Sequence, residues 1–279
     1  MADSFGERVE AAAQAFGPLC AGVDPSSRLL EQWGLSDDAA GLRVFCRNCV
    51  EAFAGAVAAI KPQVAFFERH GAAGMAELER LIADAGAAGL IVIADAKRGD
   101  IDSTADAYAD AWLGTGSPLA ADAVTAHAYL GLGALAPLVH RAAANGRGVL
   151  VVARSSNPEG RALQLASTAA GPSVEDMLLG EVAALNASSE VPAGTVGAVV
   201  GATLPPSGFP LSQLGGTILA PGLGAQGAGP AEVAARFAGC RRGTVLPSSS
   251  RGVLGHGPDP ADLRREAVSL SRELAAAMG

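Results

Sequence analysis

Eight short apolar runs, rich in Val, Ile, Leu and Ala, recur along this chain with stretches of helical character between most of them. They lie near residues 19–23, 58–61, 90–95, 121–125, 148–153, 196–201, 217–220 and 244–246. Between them stand segments such as AAGLRVFCRNCVEAFAGAV, GMAELERLIADAG, DSTADAYADAWLG, LGALAPLVHRAAANG and SVEDMLLGEVAALNA. The last helical segment begins near Pro260, a residue suited to a helical first turn. Strand alternating with helix eight times predicts a closed parallel (β/α)8 barrel, an α/β fold of the TIM-barrel class. The chain has 279 residues, and such a barrel uses about 250. No composition shift or low-complexity run marks a boundary, so one domain over residues 1–279 is expected. The roughly forty residues between the fifth and sixth runs are irregular and read as a helix plus a substrate-side loop.

Apolar residues make up 49% and charged residues 17%, which excludes a disordered chain and permits a full-sized core. A net charge of -8 argues against a general nucleic-acid or anionic-membrane binder, so any anionic ligand must be caught by locally placed donors. The opening MADSFGERVEAAAQ has neither a basic n-region nor an apolar h-region. No apolar run approaches the ~18 residues of a membrane span. A soluble cytoplasmic protein is expected, without nucleic-acid or membrane partners. Cys46 and Cys49 form a CxxC within a helical segment that no second CxxC accompanies. With Cys20 and Cys240 they read as packing residues. The four histidines are scattered without ligand spacing, so no metal is expected.

Polar residues gather where the apolar runs stop: Asp24, Lys61, Asp95, Lys97, Thr125, Arg154, Ser155, Thr203, Gln226 and Arg251. In a TIM barrel the carboxyl ends of the strands build the active site, so these positions should converge on one mouth. Of the 20 basic residues, only Lys61 and Lys97 are lysine. Both fall at expected strand ends. Arginine stays protonated at any working pH, whereas lysine can give up a proton and recover it. Lys97 lies in ADAKRGDI. Asp95 and Lys97, two apart on a strand, should point the same way, and Asp100 falls where the next helix should begin. Carboxylates flanking a lysine hold it charged while repelling a further anion. PGLGAQG, with Gly222, Gly224 and Gly227, formally matches GxGxxG but follows the seventh strand. There it suits phosphate binding by backbone N–H groups better than a dinucleotide fold. The eighth run leads into PSSSRG, whose Arg251 can make paired hydrogen bonds to phosphate oxygens.

Taken in order, LCAGVDP around Asp24, AIKPQVAFFE around Lys61, DAKRGDI, RSSNPEG, APGLGAQG and SSSRG span essentially the whole chain. Together they resemble the orotidine 5'-phosphate decarboxylase family, in its actinobacterial branch. The resemblance implies removal of CO2 from orotidylate to give UMP, the last step of de novo pyrimidine nucleotide synthesis. It also implies a homodimer of barrels with no metal or organic cofactor. It carries Lys61, Asp95, Lys97 and Asp100 onto the charged catalytic array, with Asp100 and Thr104 supplied across the dimer. Asp24 and Lys61 would contact ribose hydroxyls, Gln226 and Arg251 the phosphate, and Ser155 or Ser156 the pyrimidine. Pro221, in APGLGAQG, falls among the substrate contacts. His127 and Ala128 depart from the residue pairs common there, such as Asn-Pro, and His127 is expected to shape the base-side wall. Related barrels that use a metal share D-x-K-x-x-D but place a carboxylate where Lys61 stands. A non-catalytic nucleotide-binding barrel and a Schiff-base aldolase are the other readings. Flanking aspartates should raise a lysine's pKa, which disfavours the aldolase.

Overall fold

In the computed structural model, which describes residues 3–224 and 227–279, each apolar run becomes a parallel strand. The strands close on themselves in chain order. They are β1 (Cys20–Val23), β2 (Ala59–Pro62), β3 (Ile91–Arg98), β4 (Ala123–Ala126), β5 (Gly148–Arg154), β6 (Val196–Val200), β7 (Ile218–Pro221) and β8 (Val245–Ser249). β1 pairs with both β2 and β8, which seals the barrel. The expected and observed strands agree closely except at two carboxyl ends. β3 runs to Arg98 rather than stopping at Asp95, and β8 runs to Ser249 rather than Leu246.

The helices are α1 (Phe5–Phe16), α2 (Ser27–Gln32), α3 (Ala39–Phe53), α4 (Ala65–Glu68), α5 (Gly71–Ala87), α6 (Asp102–Leu113), α7 (Ala136–Ala144), α8 (Arg161–Gln164), α9 (Val174–Ala187), α10 (Pro230–Arg236), α11 (Arg251–Leu254) and α12 (Pro260–Met278). Their starts follow local chemistry. Asp38 accepts from the Gly41 amide at 2.9 Å to cap α3, and Ser173 accepts from the Asp176 amide at 3.1 Å to cap α9. Pro230 and Pro260 occupy first-turn positions, where a missing N–H costs nothing. The irregular stretch after β5 contains α8 and then α9, as a helix plus loop was expected to do.

The core has two layers. The larger one lies between strands and helices and takes in Cys46 and Cys49 of α3, both buried and free. The smaller one fills the barrel with Cys20, Ala59, Ile91, Ile93, Ala123, Leu150, Val199, Leu219 and Leu246. Helix α1 plugs the amino end of that interior. Ser4 and Glu7 form its capping box, with each side chain accepting from the other's backbone amide. Phe5 and Val9 are fully buried against the interior cluster. Burying two such side chains contributes about 1.5–3 kcal/mol each. Phe5 sits so close to Gly148 that a Cβ there would lie 2.3 Å from its ring. With one end plugged, the cavity can open only at the carboxyl ends of the strands.

Candidate active site

A cavity of about 290 Å³ opens at that end. Its lining includes Asp24, Lys61, Gln63, Asp95, Lys97, Ser155, Ser156, Pro221 and Arg251. Eight residues singled out from sequence thus converge from β1, β2, β3, β5, β7 and β8 or the loops that follow them. Its floor is apolar: Val152, Val199 and Leu219 are the upper edge of the barrel interior. Sequence reading did not single these out. Their signal is the strand period, which turns alternate residues inward.

Asp95 is the hub of the charged cluster. Its Oδ2 accepts from Lys61 Nζ at 3.1 Å and from Gln63 Nε2 at 2.9 Å. Its Oδ1 accepts from Lys97 Nζ at 2.5 Å and Thr125 Oγ1 at 2.9 Å. Burial alone would push the Asp95 carboxyl up, but Lys61 and Lys97 overcome it and hold the group well below the usual carboxylate range. Burial would likewise lower the Lys61 ammonium, yet Asp24 and Asp95 hold it above its ordinary value. Asp24 Oδ1 lies 4.0 Å from Lys61 Nζ and is buried without a hydrogen-bond partner. Gln63 was missed as a member of this network. It sits two residues beyond Lys61 and so on the same face, which is the signal that would have found it.

Asp95 and Lys97 do meet, but not by the simple alternation of a strand. Lys97 has a left-handed backbone, with φ of 48°. Behind the cavity, Cys20 is fully buried and burial pushes its thiol up to about 12 despite Lys61 nearby, so it is inert. Burial also raises Cys46 and Cys49, in keeping with their reading as packing residues.

At the opposite rim, Gly222 (φ 115°) and Gly224 (φ 73°) carry the loop after β7 through backbone that side chains rarely adopt. Gly222, Leu223, Ser250 and Arg251 line this end, and Arg251 opens α11. Gln226 lies outside the described residues.

Several expected convergences do not occur. Arg154 turns away from the mouth: its Nη1 donates to Glu175 Oε2 at 2.6 Å, and both residues are buried. The β5–β6 register shifts between Val152 and Arg154, which changes the face Arg154 presents. Thr203 is exposed in a turn and is not among the lining residues. His127 is exposed beside Lys97, and partial desolvation of its ring and that cation lower its imidazole. It does not line the cavity, so it does not form the base-side wall. Asp100 and Thr104, expected to serve the partner's site rather than their own, lie off the cavity of their own chain, with Thr104 exposed on α6.

Among the described residues, no three His, Cys, Asp or Glu side chains gather as metal ligands, and no helix is long and apolar enough to cross a membrane.

Residues 17–266 match the family model described as "Orotidine 5'-phosphate decarboxylase / HUMPS family". The chain belongs to this family. It is 49% identical over 276 residues to an orotidine 5'-phosphate decarboxylase of Streptomyces coelicolor, with 99% of each chain covered. It is 50% identical to that of Salinispora arenicola, again over 99% of each. A crystal structure from Streptomyces avermitilis, whose protein carries the same name provisionally, superposes with a TM-score of 0.94. That match has 50% identity and covers 99% of this chain and 96% of that one. The orotidine 5'-phosphate decarboxylase / HUMPS family therefore accounts for both the barrel and its ordered motifs, in agreement with the resemblance read from sequence.

Proposed function

We propose that the chain decarboxylates orotidine 5'-phosphate to UMP in pyrimidine biosynthesis, with Lys97 as the proton donor. The observation that carries this reading is the alternating Lys61–Asp95–Lys97 cluster, facing a glycine-bearing rim with Arg251 across one cavity. A lysine at position 61 favours this activity over the metal-assisted members of the family, which place a carboxylate there.

Breaking the bond between C6 and the carboxylate leaves an electron pair in an in-plane orbital of C6 that the ring π system cannot delocalise. The site must therefore lower the barrier chiefly by preorganised charge. The Lys97 ammonium stabilises the developing carbanion and gives C6 a proton; the neutral amine then regains one from solvent. Asp95, anionic and fixed, disfavours the substrate carboxylate more than the transition state, in which that charge is leaving. Asp24 and Lys61 hold ribose hydroxyls, and their place side by side in the cavity lining supports that role. Ser155 and Ser156 present the β5 loop to the pyrimidine, Pro221 bounds the substrate at the end of β7, and Val152, Val199 and Leu219 take the apolar face. Arg251 and Gln226 grip the phosphate, whose binding energy is used to order the site. No cofactor takes part.

A homodimer completes the site, with Asp100 and Thr104 reaching the cavity of the partner. Their position off their own cavity supports this. So does the exposed apolar surface on the adjoining loops, Ile101 after β3 and Tyr129 (80% exposed) and Leu130 after β4, which a second copy would cover. The chain forms one domain and works in the cytoplasm.

The test is an assay of purified, metal-free protein with orotidine 5'-phosphate, following loss of the substrate chromophore. Turnover that resists chelator is expected, and activity abolished by chelator would move the assignment to the metal-assisted relatives. Mixing Asp100→Asn with Lys97→Ala subunits should restore one working site per heterodimer; no rescue would overturn the shared site.

A further inference from the structure

Strands β3 and β4 pair in register as far as Ala94 opposite Val124, and pair again only at Arg98 opposite Ala126. Residues 95–97 therefore bulge against a single residue on the neighbouring strand, Thr125. A bulge takes backbone groups out of the ladder, and each buried one then needs another partner. The Lys97 amide finds its partner in a side chain, donating to Thr125 Oγ1 at 2.9 Å. The same hydroxyl donates its own proton to Asp95 Oδ1 at 2.9 Å. Thr125 is 1% exposed, so these bonds form away from competing water. Beyond the bulge the ladder resumes at once, with the His127 amide donating to Arg98 O at 2.8 Å.

The bulge matters because of what it does to Lys97. On a regular strand, residues two apart point the same way with their Cβ atoms about 7 Å apart. The left-handed backbone at Lys97 instead folds the side chain back, so that its ammonium lies 2.5 Å from Asp95 Oδ1. A non-glycine residue in that region is strained. Such strain persists only where the surroundings over-determine it. Thr125 supplies the constraint at the backbone end of Lys97, and Asp95 supplies it at the ammonium end. One hydroxyl touches both.

We propose that Thr125 is a positioning residue for the decarboxylation: its hydroxyl fixes the left-handed turn at Lys97 and the orientation of the Asp95 carboxylate together. This rests on the assignment of Lys97 as proton donor. Thr125 is not among the residues lining the cavity, and it acts through its two neighbours. Serine would keep the bracket. Valine, of nearly the same shape, would break both bonds and leave the Lys97 amide without its acceptor.

The experiment compares steady-state kinetics of Thr125→Val, Thr125→Ser and Lys97→Ala on orotidine 5'-phosphate, with UMP binding followed by calorimetry. A displacement of about an ångström at reacting groups can cost a hundredfold, so Thr125→Val should lower kcat about tenfold to hundredfold while KM and UMP affinity stay within about threefold. Thr125→Ser should recover to within about threefold of the parent. A Thr125→Val kcat within about twofold of the parent, beside an inactive Lys97→Ala, overturns the positioning role and leaves the Lys97 assignment standing. Turnover in Lys97→Ala overturns the assignment itself. A serine variant as impaired as valine, or a loss confined to KM, also overturns the bracket. Should Thr125→Val lack a cooperative melt, Thr125→Ala removes the hydroxyl without filling its space and is read by the same criteria.

Discussion

Two carboxylates are buried beside cations at the carboxyl end of this barrel, and their surroundings push them in opposite directions. Asp95 is 8% exposed and Glu175 2% exposed, so depth does not separate them. Asp95 accepts from two ammonium groups, an amide and a hydroxyl, and is held below the usual carboxylate range. Glu175 accepts from one guanidinium nitrogen, while its Oε1 and the Nε of Arg154 are buried without partners. Burial therefore pushes Glu175 up, and Arg154 offsets only part of that. A buried acid is kept anionic by the number and charge of its donors. The first cluster faces the cavity and has charge to use; the second ties the end of β5 to the first turn of α9, joining the two ends of the loop that carries Ser155 and Ser156.

The sharpest way to separate the two clusters is to remove one cation from each. Lys97→Ala should lower kcat at least a thousandfold, about 4 kcal/mol in the barrier. Its melting temperature should fall only modestly, because the lysine side chain is 40% exposed and Lys61 still pairs with Asp95. Near-normal turnover would defeat its role. Arg154→Met should do the reverse. Breaking a buried pair costs roughly 3–5 kcal/mol. The low end is expected here, because Glu175 can take a proton when its partner is lost. The denaturation midpoint reads that loss, and turnover at saturating substrate should fall less than about tenfold. A collapse of kcat in Arg154→Met would erase the distinction between the clusters.

The same pair of clusters shows how far sequence carries. Lys61, Asp95 and Arg251 were legible because each ends an apolar run, and a barrel directs such positions to one mouth. Arg154 satisfies the same criterion and fails, because the register shift before it turns its side chain toward Glu175, 21 residues on. Asp95 and Lys97 were expected to meet as neighbours on a pleat. They meet instead through a bulge whose cause, Thr125, lies on another strand. The local period is written in the chain; where the register breaks depends on strand pairing, which it does not spell out. The long helices carried enough periodicity to be placed, whereas four-residue turns such as α4, α8 and α11 did not.

The smallest effect is also the most direct test of the contrast, and it is a pair of slopes against pH. The folded-state value of Asp95 is depressed, so its stabilising contribution is present above its unfolded value, about 3.9, and is lost as pH falls toward the folded value. The stability of the parent relative to Asp95→Asn should therefore shrink on acidification below about pH 4. Glu175 is raised, so the sign reverses. As pH climbs above about 4.3, the unfolded chain releases the Glu175 proton while the folded chain still holds it, which favours unfolding. The parent should then lose stability relative to Glu175→Gln as pH rises above about 4.3, until the folded group ionises as well. Glutamine can still accept from Arg154, so the slope reports the charge and not the loss of a contact. Denaturation midpoints for both variants across this range give the two slopes. Slopes of the same sign would mean that donor number does not set the charge of these acids, and that Glu175 is as firmly anionic as Asp95.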